Sequence, residues 1–136
     1  MENVVIDASM AASWFFPDEQ TEYTNQVLQL VGETIDPTAP SLWAYEIRNT
    51  LLMGIKRGRI TRDRAQKLLG FIADLHVDLI DPVSYDAIFE AAHVYRITVY
   101  DAAYLELAHR IHAPLGSLDN RLRSAAVKAG VAVHQT

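Results

Sequence analysis

The chain has 136 residues and a mass of 15.2 kDa, which fits one domain over residues 1–136 and at most one active site. Half of it is hydrophobic and 21% is charged, enough for a packed core and unlike a disordered or low-complexity chain, while the absence of cysteine removes disulfides, thiol nucleophiles and thiolate-bound metals and leaves oxygen and imidazole chemistry. A net charge of −5 weighs against a phosphate-backbone partner, and without a membrane-length apolar run or a leader at Met1–Asp7 the expected setting is soluble and cytoplasmic, with no membrane.

Val4-Val5-Ile6 is a β-branched run halted by Asp7, which predicts a buried strand followed by a short helix over Met10–Phe16. Apolar residues at near-helical spacing predict a helix over Glu19–Val31 that Gly32 ends. Asp36-Pro37-Thr38-Ala39-Pro40 reads as turn chemistry, and Ser41 as the cap of a long helix carrying Leu42, Tyr45, Leu51, Leu52 and Ile55 up to Gly58. Thr61 is the expected cap of the next helix, with Ala65, Leu68, Leu69, Ile72 and Leu75 on its apolar stripe. His76–Asp81 predicts a strand, Ser84–Val94 a helix, Val99–Ile111 another helix, Leu115–Leu118 a strand, Asn120–Ala129 a helix and Val131–His134 a last strand.

Short apolar strands alternating with helices predict an α/β fold, a mostly parallel central sheet between helical layers. In such sheets ligands sit beyond the carboxyl ends of the strands. Asp7 and Asp119 fall at strand ends, Asp101 opens a helix, and Glu46 lies in the first turns of the helix after Pro40. Singly, each reads as a helix cap or dipole partner. Gathered in one crevice, four carboxylates would repel unless cations held them, which implies Mg2+ (or Mn2+) and phosphoryl chemistry.

Val5-Ile6-Asp7-Ala8-Ser9, Glu46-Ile47-Arg48-Asn49-Thr50-Leu51, Thr98-Val99-Tyr100-Asp101-Ala102-Ala103-Tyr104 and Leu118-Asp119 resemble, in order and context, the PIN-domain ribonucleases. With the Arg57-Gly58-Arg59-Ile60-Thr61 turn, the chain is most similar to the toxin subunits of VapBC-type toxin–antitoxin pairs, over essentially its whole length. The resemblance implies a three-layer α/β sandwich, a metal-dependent endoribonuclease that hydrolyses RNA phosphodiester bonds, a small antitoxin from a neighbouring gene, and a homodimer. Carried over residue by residue, Asp7 and Asp101 would ligate metal, Glu46 would bind metal or orient water, and Asp119 would complete the cluster. Ser9, Thr98 and Ser117 would fix carboxylate orientation, with Ser117 standing where threonine is common in the family. Asn49, one turn beyond Glu46, would bind phosphate or hold a carboxylate.

Charge distribution agrees with that reading. Setting the four acids aside leaves 13 acids against 12 bases. Six of the bases fall between Lys56 and Lys67 against one acid, Asp63, a local charge of +5 that makes Lys56, Arg57, Arg59 and Arg62 candidates for RNA contact or simply a solvated face. Trp14 and Trp43 are expected either in the core or beneath an apolar antitoxin segment. His109 and His112, three apart, lack a carboxylate at matching spacing and read as packing residues rather than ligands.

Other classes fare worse. A haloacid-dehalogenase-like phosphatase needs a second acid at position 9, where Ser9 stands, and a response-regulator receiver needs a lysine at a late strand end, whereas Lys128 lies within a predicted helix. Two alternatives keep the fold: a housekeeping RNA-processing nuclease, and a non-catalytic RNA-binding or protein-interaction module, whose expected loss of acids is not seen.

Overall fold

A computed structural model describes residues 1–135. In chain order its elements are β1 (Glu2–Ile6), α1 (Ala8–Phe15), a 3-10 turn (Pro17–Glu19), α2 (Glu22–Leu30), β2 (Ile35–Pro40), α3 (Leu42–Lys56), α4 (Arg62–Asp74), β3 (Asp78–Ile80), α5 (Tyr85–Tyr95), α6 (Val99–Arg110), β4 (Leu115–Gly116) and α7 (Asn120–Lys128). The strands form one parallel sheet in the order β3-β2-β1-β4. Val4, Val5 and Ile6 of β1 are fully buried, the signature of a parallel strand covered on both faces, which is why it reads as a continuous apolar run. Helix α6 packs across β1, β2 and β4, and α3 against β2 and α1. Tyr104, Leu105 and Leu107 of α6, Ile47 of α3 and Leu122 of α7 join the strands in one core. No helix among the described residues is long and apolar enough to cross a membrane.

Local capping chemistry sets most helix starts. Thr61, Ser84 and Thr98 accept from the backbone N–H three residues on at 3.0–3.1 Å, each satisfying an otherwise unpaired donor. Gly58 adopts φ +72° between α3 and α4, a left-handed conformation that costs glycine nothing.

Four expectations are corrected. Asp36–Pro40 is not a turn but most of β2, a strand between β1 and β3. Its prolines are tolerated because of register: β1 flanks Ile35–Thr38 and β3 flanks Thr38–Pro40, so Pro37 and Pro40 each lie where β2 has a neighbour on one side only. Residues 131–134 form no strand; a single bridge joins Val133 to Leu115. The strand expected over Leu115–Leu118 stops at Gly116, because Ser117 and Leu118 turn their polar groups to the site described below. Ser41 occupies the cap position of α3 without capping it; its hydroxyl donates instead to Asp81.

Candidate active site

From β1 the chain proceeds to β2 on one side, and β4 returns on the other. The crevice beyond the carboxyl end of β1 is therefore a switch point, where open parallel sheets receive ligands. Asp7 is the first residue past β1 and caps α1. It is buried, at 5% exposure, and three donors converge on its carboxylate. Ser9 Oγ (2.7 Å) and the Met10 N–H (3.0 Å) reach Oδ1, and Ser117 Oγ reaches Oδ2. The two hydroxyls also accept backbone bonds at 3.0 Å, Ser9 from Leu118 and Ser117 from Asp119. Asp7 is thus tied through both serines to the segment that leads into α7. Burial raises its pKa to about 6 in spite of these donors, and the nearby charge of Asp119 adds to the rise.

Glu46, on the second turn of α3, is half-buried and accepts a hydrogen bond from the Tyr104 hydroxyl of α6. Burial raises its pKa, Tyr104 opposes the rise, and Asp101 contributes to it. Asp101 lies in the first turn of α6, its N–H donating to Thr98 Oγ1 at 3.0 Å. Its pKa is raised by burial first and by Asp119 second, while Thr98 and Arg121 pull it down. Asp119 caps α7, with Oδ1 accepting from the Arg121 and Leu122 N–H groups at 2.9 and 3.2 Å. The pairs Asp7–Asp119, Asp101–Asp119 and Glu46–Asp101 each lie within range of the other's charge.

The four sequence-predicted acids are thus linked in a chain, Asp7 to Asp119 to Asp101 to Glu46, each sensing the charge of the next. Among the described residues, no three carboxylate or imidazole groups are drawn in closely enough to enclose one ion, as like charges held apart on separate elements would be. As donors the four offer oxygen alone, the set a hard divalent cation selects.

Ser9 and Ser117 donate to Asp7, and Thr98 caps the helix that carries Asp101. Asn49 joins Glu46 on the wall of a cleft of about 230 Å³ that α1 closes with Ala8. Among the basic candidates, Lys56, Arg57 and Arg62 are exposed, but Arg59 is already engaged. Its guanidinium pairs with Asp18 at 2.9 Å and Glu19 at 3.0 Å and lies 3.8 Å over the Phe16 ring. Trp14 and Trp43 are buried, at 6% and 3% exposure, and Trp14 Nε1 donates to the Thr24 carbonyl, so neither offers a docking surface. Tyr104, to which the sequence assigns no role at the site, holds Glu46 through its hydroxyl, and the motif from Thr98 to Tyr104 is the signal that could have marked it.

The chain matches no family model. It is 35% identical over 125 residues to Ribonuclease VapC3 of Pyrobaculum aerophilum, a match that covers 88% of this chain and 91% of that protein. The crystal structure of PAE2754, also from Pyrobaculum aerophilum, shares its fold with a TM-score of 0.74 at 21% identity, over 91% of this chain and 84% of that one.

Proposed function

The chain belongs to the VapC family of ribonucleases, with a PIN fold, and on that premise we propose that it is a metal-dependent endoribonuclease and the toxin of a toxin–antitoxin pair. The observation that supports the reading is the chain of charge interactions linking Asp7, Asp119, Asp101 and Glu46 near the switch point of the sheet, with burial and mutual charge raising the pKa of Asp7, Glu46 and Asp101. A crevice in which carboxylates resist ionisation is one that a cation stabilises.

Asp7 and Asp101 are the proposed holders of Mg2+ or Mn2+, with Asp119 completing the set. When bound, such an ion neutralises the scissile phosphate and acidifies water. Ser9, Ser117 and the Met10 N–H fix the orientation of the Asp7 carboxylate. Glu46 has one oxygen committed to Tyr104; its other oxygen orients the attacking water. Asn49 donates its amide to a non-bridging phosphate oxygen beside Glu46. In the net reaction, water adds to phosphorus, the bridging ester oxygen leaves with a proton, and the RNA is cut in two.

The decisive test is Asp101→Asn. Cleavage of single-stranded RNA in Mg2+ or Mn2+ is expected to fall to background, as it should in excess chelator with the native chain. Full activity in either case refutes the mechanism.

The antitoxin is proposed to silence the site by placing an arginine or lysine among the acids, where a guanidinium forms paired hydrogen bonds with carboxylates. The product of the neighbouring gene should therefore block both cleavage and Mn2+ binding measured by calorimetry. If it binds and changes neither, a housekeeping nuclease is the better description. A second copy of the chain is the proposed partner for the exposed face carrying Tyr45, Tyr85, Phe89 and Tyr100, which are 62–79% exposed around a cleft of about 590 Å³. So many contiguous aromatics are unusual on a solvent-facing monomer. Tyr45 and Tyr100 precede Glu46 and Asp101, so pairing there forms a wall beside the active crevice.

A further inference from the structure

A groove runs away from the acidic crevice between α1 and α3. On one side are Ala8, Ala12 and Phe16, four residues apart, and on the other Asn49, Met53 and Arg57, also four apart. Residues at that spacing share one helix face, so Ala8 and Ala12 of α1 stand across from Asn49 and Met53 of α3, with Phe16 and Arg57 at the C-caps of the two helices. The cleft beside Glu46 and a second one of about 290 Å³ ending at Arg57 share Asn49 and Thr50 and so adjoin along α3. From Glu46 to Arg57, the residue that closes α3, is a rise of eleven residues, about 16 Å at 1.5 Å per residue, or roughly four to five stacked nucleotides at about 3.4 Å each.

The chemistry changes along this path. It begins at carboxylates, passes the Asn49 amide and Thr50 hydroxyl, crosses the apolar Met53 and Phe16, and ends at Arg57, whose exposed guanidinium has no ion pair or hydrogen bond among the described residues. The second cation at that end, Arg59, is neutralised by Asp18 and Glu19 and flattened on Phe16. It shapes the floor, and with Glu19, which also lines the groove, and Asp18 its cluster carries a net negative charge, which leaves Arg57 as the one unpaired cation lining the groove among the described residues. Lys56 and Arg62, although in the same basic segment, do not line the groove.

Building on the ribonuclease reading above, we propose that the α1–α3 groove guides the single RNA strand leaving the cleavage crevice, with Arg57 gripping a phosphate roughly four to five nucleotides from the scissile bond. Polar groups near the crevice and an apolar floor farther on suit a strand that presents sugar and base faces downward. The basic segment then divides by role: Arg57 binds, Arg59 braces, and Lys56 and Arg62 act only through diffuse charge.

The test uses the full chain and a fluorescein-labelled, ten-nucleotide, mixed-sequence single-stranded RNA. Affinity is read by anisotropy at several salt concentrations in excess chelator, so that the readout does not depend on cleavage. Arg57→Gln is expected to weaken binding about five- to tenfold and to reduce the slope of log affinity against log salt by about 0.7, the value for one phosphate contact on a single strand. Met53→Glu, which places a negative charge mid-groove, should weaken it at least as much, while Lys56→Gln and Arg62→Gln should each change it by about twofold or less. Native affinity and slope for Arg57→Gln overturn the proposal, as do equal losses from Lys56→Gln or Arg62→Gln, which would mean diffuse attraction. Unchanged RNA affinity together with lost antitoxin binding assigns the groove to a protein and also overturns it. The ribonuclease reading stands or falls separately, on cleavage by Asp101→Asn.

Discussion

Replacing Asp7 by asparagine should raise the stability of the metal-free protein near neutral pH. The folded chain holds the Asp7 proton more tightly than the unfolded chain does, since burial lifts the pKa from 3.8 to about 6. Ionisation therefore costs stability. The cost is absent below about pH 3.8, grows between 3.8 and about 6, and is complete above that. A rise of that size corresponds to about 3 kcal/mol. Asparagine is neutral at every pH and escapes the cost, but its geometry is poorer. Its Oδ1 can still accept from Ser9 and Met10, while its amide nitrogen meets Ser117 Oγ, whose own proton then loses its acceptor. That loss amounts to about 1 kcal/mol. A net gain of about 2 kcal/mol is expected at pH 8, or roughly 8 °C in Tm for a chain of this length, and no gain at pH 4. The assay is thermal unfolding by circular dichroism in chelator from pH 4 to 8, with and without Mn2+. Added Mn2+ should raise the Tm of the native chain and reduce or reverse the difference. A gap between variant and native that is flat across pH, or a variant less stable at pH 8, refutes the assignment of Asp7 as a buried carboxylate that resists its charge.

Tyr104→Phe removes the donor to Glu46 and should cost about 1–2 kcal/mol in urea unfolding, with kcat falling at least about tenfold and KM little changed; native kcat would leave Tyr104 a packing residue. Gly54→Ala puts a Cβ 3.1 Å from Phe16 Cζ, and because that ring is buried and contacts both Phe15 and Arg59 the crowding should outweigh the helix-propensity gain, for a net loss of about 1 kcal/mol. A stability gain would show that the ring is free to move. Phe89→Glu places a charge on the exposed aromatic face of α5 and should convert the proposed homodimer to monomers by light scattering at micromolar concentration, leaving monomer stability within about 0.5 kcal/mol; an unchanged mass moves the interface elsewhere.

How much of this was legible in the sequence depended on the range of the interactions involved. Thr61 caps the helix it was expected to cap because a cap involves residues three positions apart, and Asp7 could be placed at a strand end because Val4-Val5-Ile6 has the apolar continuity of a strand buried on both faces. The four acids could be named from their motifs. What brings them together is the strand order, in which β1 lies between β2 and β4 and so meets the segment carrying Ser117 and Asp119. The same limit explains the misreadings. Asp36–Pro40 carries local turn chemistry, yet it is a strand because neighbours flank its prolines on one side only. Arg59 looked like one more exposed cation until folding set Asp18 and Glu19, some forty residues earlier, against it. Local hydrogen bonding and hydrophobic period are written into consecutive residues; the Tyr104–Glu46 and Ser117–Asp7 bonds, 58 and 110 residues apart in the chain, exist only once the burial of a common core fixes which segments become neighbours.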